Sequence, residues 1–258
     1  MTERGIGLAA TTPQEIVEAS AVLAEALGYT SFWLNHPGQR DGVAGLVPAA
    51  AATSAIDLGV GVVPLHLRPV ESVVETARAE VLPVDRLVLG IGTYGPGAFR
   101  LARQGVVALH DGLGCRVAVA ALSERTCRVA GEIGDGVVFN WLTPDYASRS
   151  AHWVEEGAAK AGRPRPRLYA YVRLALGADA SERLEDEGAR YARVDSYGAH
   201  FARMGVTPSA TAIAARDSAE VSRALAPWEG VVDAVVLRLL PAADTPEAHE
   251  ELIRAGAV

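Results

Sequence analysis

Cysteine is almost missing from this chain. Cys115 and Cys127 are the only two in 258 residues, too few for a disulfide framework. One falls in a strand-like run and the other in a helical one. They are expected to be reduced, buried thiols of a cytoplasmic protein. Basic tracts are missing as well. The net charge is −7, and no Lys/Arg run with interleaved aromatics occurs, which argues against a nucleic-acid partner. No apolar run is long enough to cross a bilayer; the most apolar region, 43–67, is broken by Pro48, Ser54, Asp57 and Pro64. The opening MTERGIGLAA lacks the basic-then-apolar pattern of a secretory signal. What remains, 50% hydrophobic and 21% charged residues, fits an ordinary folded domain without a membrane partner.

Short apolar runs alternate with amphipathic ones from end to end. The strand-like runs are 5–10, 30–35, 56–63, 86–92, 115–121, 136–141, 168–176 and 231–240. They are continuously apolar rather than alternating, as parallel strands covered on both faces are. The intervening segments carry helix signals. In TTPQEIVEASAVLAEALG, Ile16, Leu23 and Leu27 recur at helical spacing. Thr12 reads as an N-cap with Glu15 completing a capping box, and Gly28 reads as the stop. The Thr-Pro openings at 143 and 245 repeat the pattern. Segment 177–230 has room for more than one helix, with pieces at YGAHFARMG and DSAEVSRALAPWEG around a loop at Pro208. Eight βα steps in roughly 250 residues predict a single-domain (β/α)8 barrel over 1–258. A doubly wound open sheet is the alternative.

In a barrel, the ends of the strands carry the site. The stretch DLGVGVVPLHLRP (57–69) then makes sense, because His66 and Arg68 emerge at the rim instead of entering the core. The other strand ends present Asn35 and His36, Thr93 and Tyr94, Ser123, Asn140 and Trp141, and Arg173. No carboxylate pair suited to glycoside hydrolysis is among them. Nor is a His/Cys/Asp cluster at metal spacing, and LGIGTYGPG lacks both the Rossmann and the P-loop spacing. The set suits a flat molecule with polar edges. Ser123, Glu124, Arg125 and Thr126 open a helix just after the fifth strand, where free N–H groups favour an anion. The same residues also suit an ordinary N-cap.

The chain resembles the luciferase-like family of flavin- and coenzyme F420-dependent oxidoreductases. The likeness lies in GYTSFWLNHP, IDLGVGVVPLHLRP, DRLVLGIGTY and AALSERTCRVAGEIGDGVVFNWLTP, in order along the chain. It implies a (β/α)8 barrel with a cofactor at the C-terminal face, coenzyme F420 being favoured and FMN the alternative. It implies hydride transfer to or from a small organic substrate or, with FMN, monooxygenation. It also implies a non-proline cis peptide late in strand three, at Gly61–Val62 or its neighbour, with Val63 adjoining. His36, with Asn35, takes the catalytic position facing the ring. Ser123 to Thr126 match the phosphate-binding helix start. Thr93, Tyr94 and Trp141 line the cofactor pocket, and His66, Asn140 and Arg173 the substrate side. Tyr197 and His200 are placed to cap the cleft. A homodimer is common in the family. One departure stands out. GPGAFRLARQGVVALHDGLG, between strands four and five, holds a single helix where larger members carry an insertion. That leaves open a non-catalytic barrel that binds a ligand or partner subunit, and a phosphate-recognising barrel outside the family.

Overall fold

The computed structural model describes residues 1–36 and 40–257. Strands β1 (Glu3–Leu8), β2 (Ser31–Leu34), β3 (Asp57–Pro64), β4 (Leu87–Gly92), β5 (Arg116–Ala120), β6 (Gly136–Asn140) and β7 (Arg167–Leu176) follow one another around a parallel sheet. A three-residue strand, β8 (Ile213–Ala215), pairs only with the upper end of β7. β9 (Ala234–Leu239) then pairs with both β7 and β1 and closes the barrel. The expected eight-stranded barrel is therefore present, with β9 as its last stave. β8 lies outside the expected strands, since three residues are too few to leave a periodic signal.

Helices α1 (Gln14–Ala26), α2 (Val47–Ala52), α3 (Val70–Ala79), α4 (Ala98–Leu113), α5 (Glu124–Ile133) and α6 (Pro144–Lys160) wrap the outside. After β7 the chain makes a long excursion through α7 (Gly177–Ala192) and α8 (Asp195–Met204), then α9 (Ser218–Leu225); α10 (Pro246–Gly256) ends the fold. The sequence reading placed two helical pieces here and passed over α7. Its buried stripe is only Ala180, Leu184 and Gly188, a weak apolar signal in a heavily charged segment. The capping box expected at Thr12 does not form. Pro13 takes the N-cap position without a side-chain cap, and its carbonyl accepts from Ile16 and Val17. Gly28 does end that turn, at φ +82°. Thr143 and Thr245 cap α6 and α10 as read. Cys115 and Cys127 are buried and free, and burial pushes their thiols up to about 11 and about 12.

The barrel interior is packed by a few large side chains set against glycine. Trp33, Tyr169 and Tyr171 fill the space, with the Trp33 ring edge-on to both tyrosines at 4.9 and 5.9 Å. Facing them, β3 carries Gly59 and Gly61. A Cβ at 59 would lie 2.1 Å from the Trp33 ring, and one at 61 would lie 2.8 Å from Tyr171. The interior is thus filled by side chains at this level, as barrel interiors are. The Gly61–Val62 peptide is cis, where the resemblance placed it, and the register with β4 shifts between Val60 and Val63.

Candidate active site

Above this plug, at the C-terminal ends of the strands, opens a cavity of about 650 Å³. That is within the range of small-molecule sites. Gly61, Val62, Gly92, Ala120 and Val138 make one smooth wall. Polar groups stand around it.

His36 follows β2, and the backbone fixes its tautomer. The Gly42 N–H donates to His36 Nδ1 at 3.0 Å. A backbone N–H can only donate, so Nδ1 is bare and the neutral ring carries its proton on Nε2. The contact requires glycine at 42, because a Cβ there would sit 2.4 Å from the Asn35 carbonyl oxygen. Burial pushes the His36 pKa below its ordinary 6.5 and the Arg68 charge adds to this. Asp41, 3.8 Å from Nδ1, opposes both. His36 is therefore neutral at pH 7 and offers a hydrogen-bond donor at Nε2. Asn35 has a structural task, its Oδ1 accepting from the Ala10 N–H at 2.8 Å. Arg68 bonds Asp41 at 2.6 Å and Thr76 at 2.7 Å, clamping the loop after β2 to α3.

Thr93, Tyr94 and His66 line the mouth. Tyr94 is 61% exposed, and its ring lies 6.3 Å from that of His66. Ser123 and Thr126 reach the cavity from the start of α5. Their hydroxyls are also occupied in a capping box: Thr126 Oγ1 accepts from the Ser123 N–H at 2.8 Å, and Ser123 Oγ accepts from the Thr126 N–H at 3.4 Å. The Thr126 hydroxyl donates to the Ser123 carbonyl at 2.9 Å, so what the cap leaves for a ligand is the Ser123 O–H donor, the remaining N–H groups of the first turn and Arg203. This arginine lines the cavity from α8 and donates to the Leu122 carbonyl at 3.0 Å.

Four residues read as site residues stand behind the wall instead. Val63 is fully buried on the other face of β3. Glu124 pairs with Arg128 on the outside, and Arg125 lies over the Phe99 ring at 4.6 Å. Trp141, at φ +54° and 0% exposed, packs against Tyr191 and Phe201. It supports Arg173, whose guanidinium lies 3.8 Å above its ring. His200 is likewise buried below the surface, between the carbonyls of Leu122 and Trp141 at 2.9 and 2.8 Å. Tyr197 does cap the cleft, accepting from Asn140 Nδ2 at 2.8 Å.

The floor is charged. Arg173 points inward, donating to Glu187 of α7 at 3.0 Å and to Asn140 Oδ1. Arg238 of β9 and Tyr171 of β7 join it in the lining, as does Tyr191 of α7. Sequence reasoning missed Arg238, although a lone arginine in VVLRLL was a visible anomaly. It also missed Tyr171, although the period-two series Tyr169, Tyr171, Arg173 put all three on one face.

The family described as luciferase-like monooxygenase matches residues 1–114 and 97–257, nearly the whole chain. The chain belongs to this family. No curated protein matches the sequence. Among solved structures, this luciferase-like barrel is similar to an F420-dependent secondary alcohol dehydrogenase in complex with an F420-acetone adduct (TM-score 0.77, 14% identity, 99% of each chain). It is also similar to a coenzyme F420-dependent tetrahydromethanopterin reductase from Methanopyrus kandleri (0.72, 17%, 98% of each chain). A third is the oxygenating constituent of 3,6-diketocamphane monooxygenase from Pseudomonas putida, in complex with FMN (0.73, 14%, 99% of this chain and 96% of that one). At these identities the likeness is one of fold.

Proposed function

We propose that this luciferase-like barrel is an oxidoreductase that binds coenzyme F420 and transfers a hydride to a small, electron-poor organic substrate. The cavity fits a flat tricyclic ring. Its glycine-walled side is smooth and apolar, while His36, Asn140 and the Tyr171 hydroxyl, which has no partner among the described residues, offer polar contacts around it. Gly61, Val62 and Gly92 would back the ring, and the α5 start with Arg203 would hold the phosphate. When bound, the deazaflavin supplies the hydride-carrying carbon.

The observation that favours F420 over FMN is the charge at the phosphate end. Arg203 is the one cation that lines the cavity there among the described residues, and the Thr126 hydroxyl proton is spent on the Ser123 carbonyl. One arginine plus a helix N-terminus suits a singly charged phosphodiester better than a doubly charged phosphate monoester.

His36 has a defined part in this reading. With Nδ1 occupied by the Gly42 N–H, the neutral ring cannot take up a substrate proton without losing that bond. Its Nε2–H can polarise a substrate carbonyl, as a neutral imidazole can in other enzymes. Tyr197, Tyr191 and Val194 from the α7–α8 excursion line one side of the cavity.

Titration of cofactor-free protein with F420 and separately with FMN, followed by cofactor fluorescence, tests the reading. Micromolar binding of F420, weakened by Arg203→Met, is expected, with FMN binding more weakly. His36→Ala should lower turnover more than binding. Absence of binding by either cofactor would remove the oxidoreductase reading, and tighter binding of FMN would reverse the cofactor choice.

A further inference from the structure

The cavity floor carries more positive charge than the described residues neutralise. Arg173 and Arg238 are register partners on neighbouring strands, so their side chains leave the sheet on the same face. They are 3% and 8% exposed. Arg173 is paired: it donates to Glu187 and to Asn140, and its face lies on the Trp141 ring. Arg238 is not. Its one hydrogen bond in the structure runs from Nη1 to the Leu239 carbonyl, and among the described residues no carboxylate lies within 4.0 Å of it. A guanidinium has five N–H donors, so most of its capacity is unspent.

A second, independent orphan lies beside it. Tyr171 is 4% exposed, lines the same cavity, and has a hydroxyl with no partner among the described residues. It sits two residues before Arg173, on the same face of β7. A buried cation without an adjacent carboxylate and a buried hydroxyl without a partner are both costly, and both are relieved by one anion entering from the cavity. The charge count sets its size. Arg173 and Arg238 against Glu187 leave one unit of positive charge.

We propose that Arg238 and Tyr171 form a subsite for a singly charged, planar oxyanion at the cavity floor. Its principal occupant is the carboxylate of the substrate. The subsite lies apart from the phosphate end, since β9 is separated from β5 around the barrel by β7 and β6. The same chemistry is presented by the N–C=O edge of a reduced deazaflavin or flavin ring, which also shares one negative charge over a planar group. The substrate assignment rests on the oxidoreductase reading; the excess charge does not.

The test uses cofactor-free protein. Benzoate and its neutral isostere benzamide are titrated calorimetrically into the wild type, Arg238→Met and Tyr171→Phe. The expected result is that benzoate binds and benzamide does not, with Arg238→Met weakening benzoate at least about tenfold, the scale of one hydrogen bond to a charged group. The second arm measures the ratio of affinities for reduced and oxidised cofactor. A fall in that ratio in Arg238→Met, without benzoate binding, assigns the subsite to the ring. If Arg238→Met does not fold, Arg238→Lys and the benzoate-against-benzamide melting shift of the wild type give the same readout. Equal behaviour of benzoate and benzamide, together with an unchanged affinity ratio, would overturn the proposal. Carboxylate binding in a protein that takes up neither cofactor would leave this subsite standing and remove only the oxidoreductase reading.

Discussion

Replacing Glu187 by glutamine keeps the shape of the side chain and removes the carboxylate that pairs with Arg173 beneath the cavity. Its side chain is 13% exposed and that of Arg173 only 4%, so solvent screens neither well. Burial pushes the Glu187 pKa up, but the Arg173 and Arg238 charges and the Arg173 hydrogen bond outweigh it. The carboxyl is held below its ordinary 4.5 and is ionised at neutral pH. In Glu187→Gln two guanidinium groups face each other with no counter-charge. Breaking a buried pair in this way costs about 3–5 kcal/mol, a large share of a typical total of about 5–15 kcal/mol. For a chain of this size that corresponds to a fall in Tm of about 6–20 °C. Urea and thermal unfolding at pH 7 measure it. The sign of the pH dependence is fixed as well. A carboxyl with a depressed folded pKa contributes stability above its unfolded pKa and loses it as the pH falls through the folded value, so wild type and mutant should converge in acid. Removing Arg173 as well restores the native charge count, and the double mutant Arg173→Met/Glu187→Gln should be less destabilised than the sum of the singles. A Tm within about 2 °C of wild type, or single effects that add within about 0.5 kcal/mol, would refute the charge argument.

Gly59→Ala drives a methyl group to within 2.1 Å of the Trp33 ring, which the two tyrosines hold in place. The expected cost is at least the upper end of the overpacking range of about 1–3 kcal/mol, with near-UV dichroism reporting the displaced indole. His36 should show the Nε2–H tautomer in ¹⁵N NMR above pH 7, whereas an Nδ1–H signal would contradict the Gly42 hydrogen bond. Burial lowers the pKa of both His36 and His249 below 6.5. Below that pH the unfolded chain binds more protons, so stability should fall on acidification by up to about 1.4 kcal/mol per pH unit for each histidine; a flat profile between pH 7 and 5 in denaturant titrations would count against this. Asn35→Ala strands the Ala10 N–H and should cost about 1–3 kcal/mol, while leaving the His36 tautomer unchanged.

The staves of the barrel were legible because continuous apolar runs of parallel strands stand out between capped helices. His36, Asn140, Ser123 and Arg173 were legible because polar residues closing an apolar strand have few reasons to be there. Glu124, Arg125 and Trp141 were misplaced for a common reason. Sequence puts a residue at a strand end or helix start but does not give its azimuth, and a rotation of one residue carries a side chain from the cavity to the outer face. Glu187 and Arg203 lay beyond reach altogether. Both come from the excursion after β7, in helices whose surface charge hides the one member that turns inward. The role of Gly42 is of the same kind, since its requirement arises from a carbonyl seven residues earlier.

That excursion leaves β7 at Leu176 and returns to it at β8, whose three residues pair with Leu174, Ala175 and Leu176. Both ends of the cover are thus fastened to the same few residues of one stave, while the connection between β4 and β5 is reduced to a single helix. The cover is in effect a closed cassette. Segment 177–212 holds Glu187, Tyr197 and Arg203 together, while the cavity wall of β3 to β6 comes from a separate stretch of chain. The cover brings Arg203 and Tyr197 to the cavity and the strands bring Tyr171 and Arg238, so a change of cover alters one side of the cleft and leaves the other as it was.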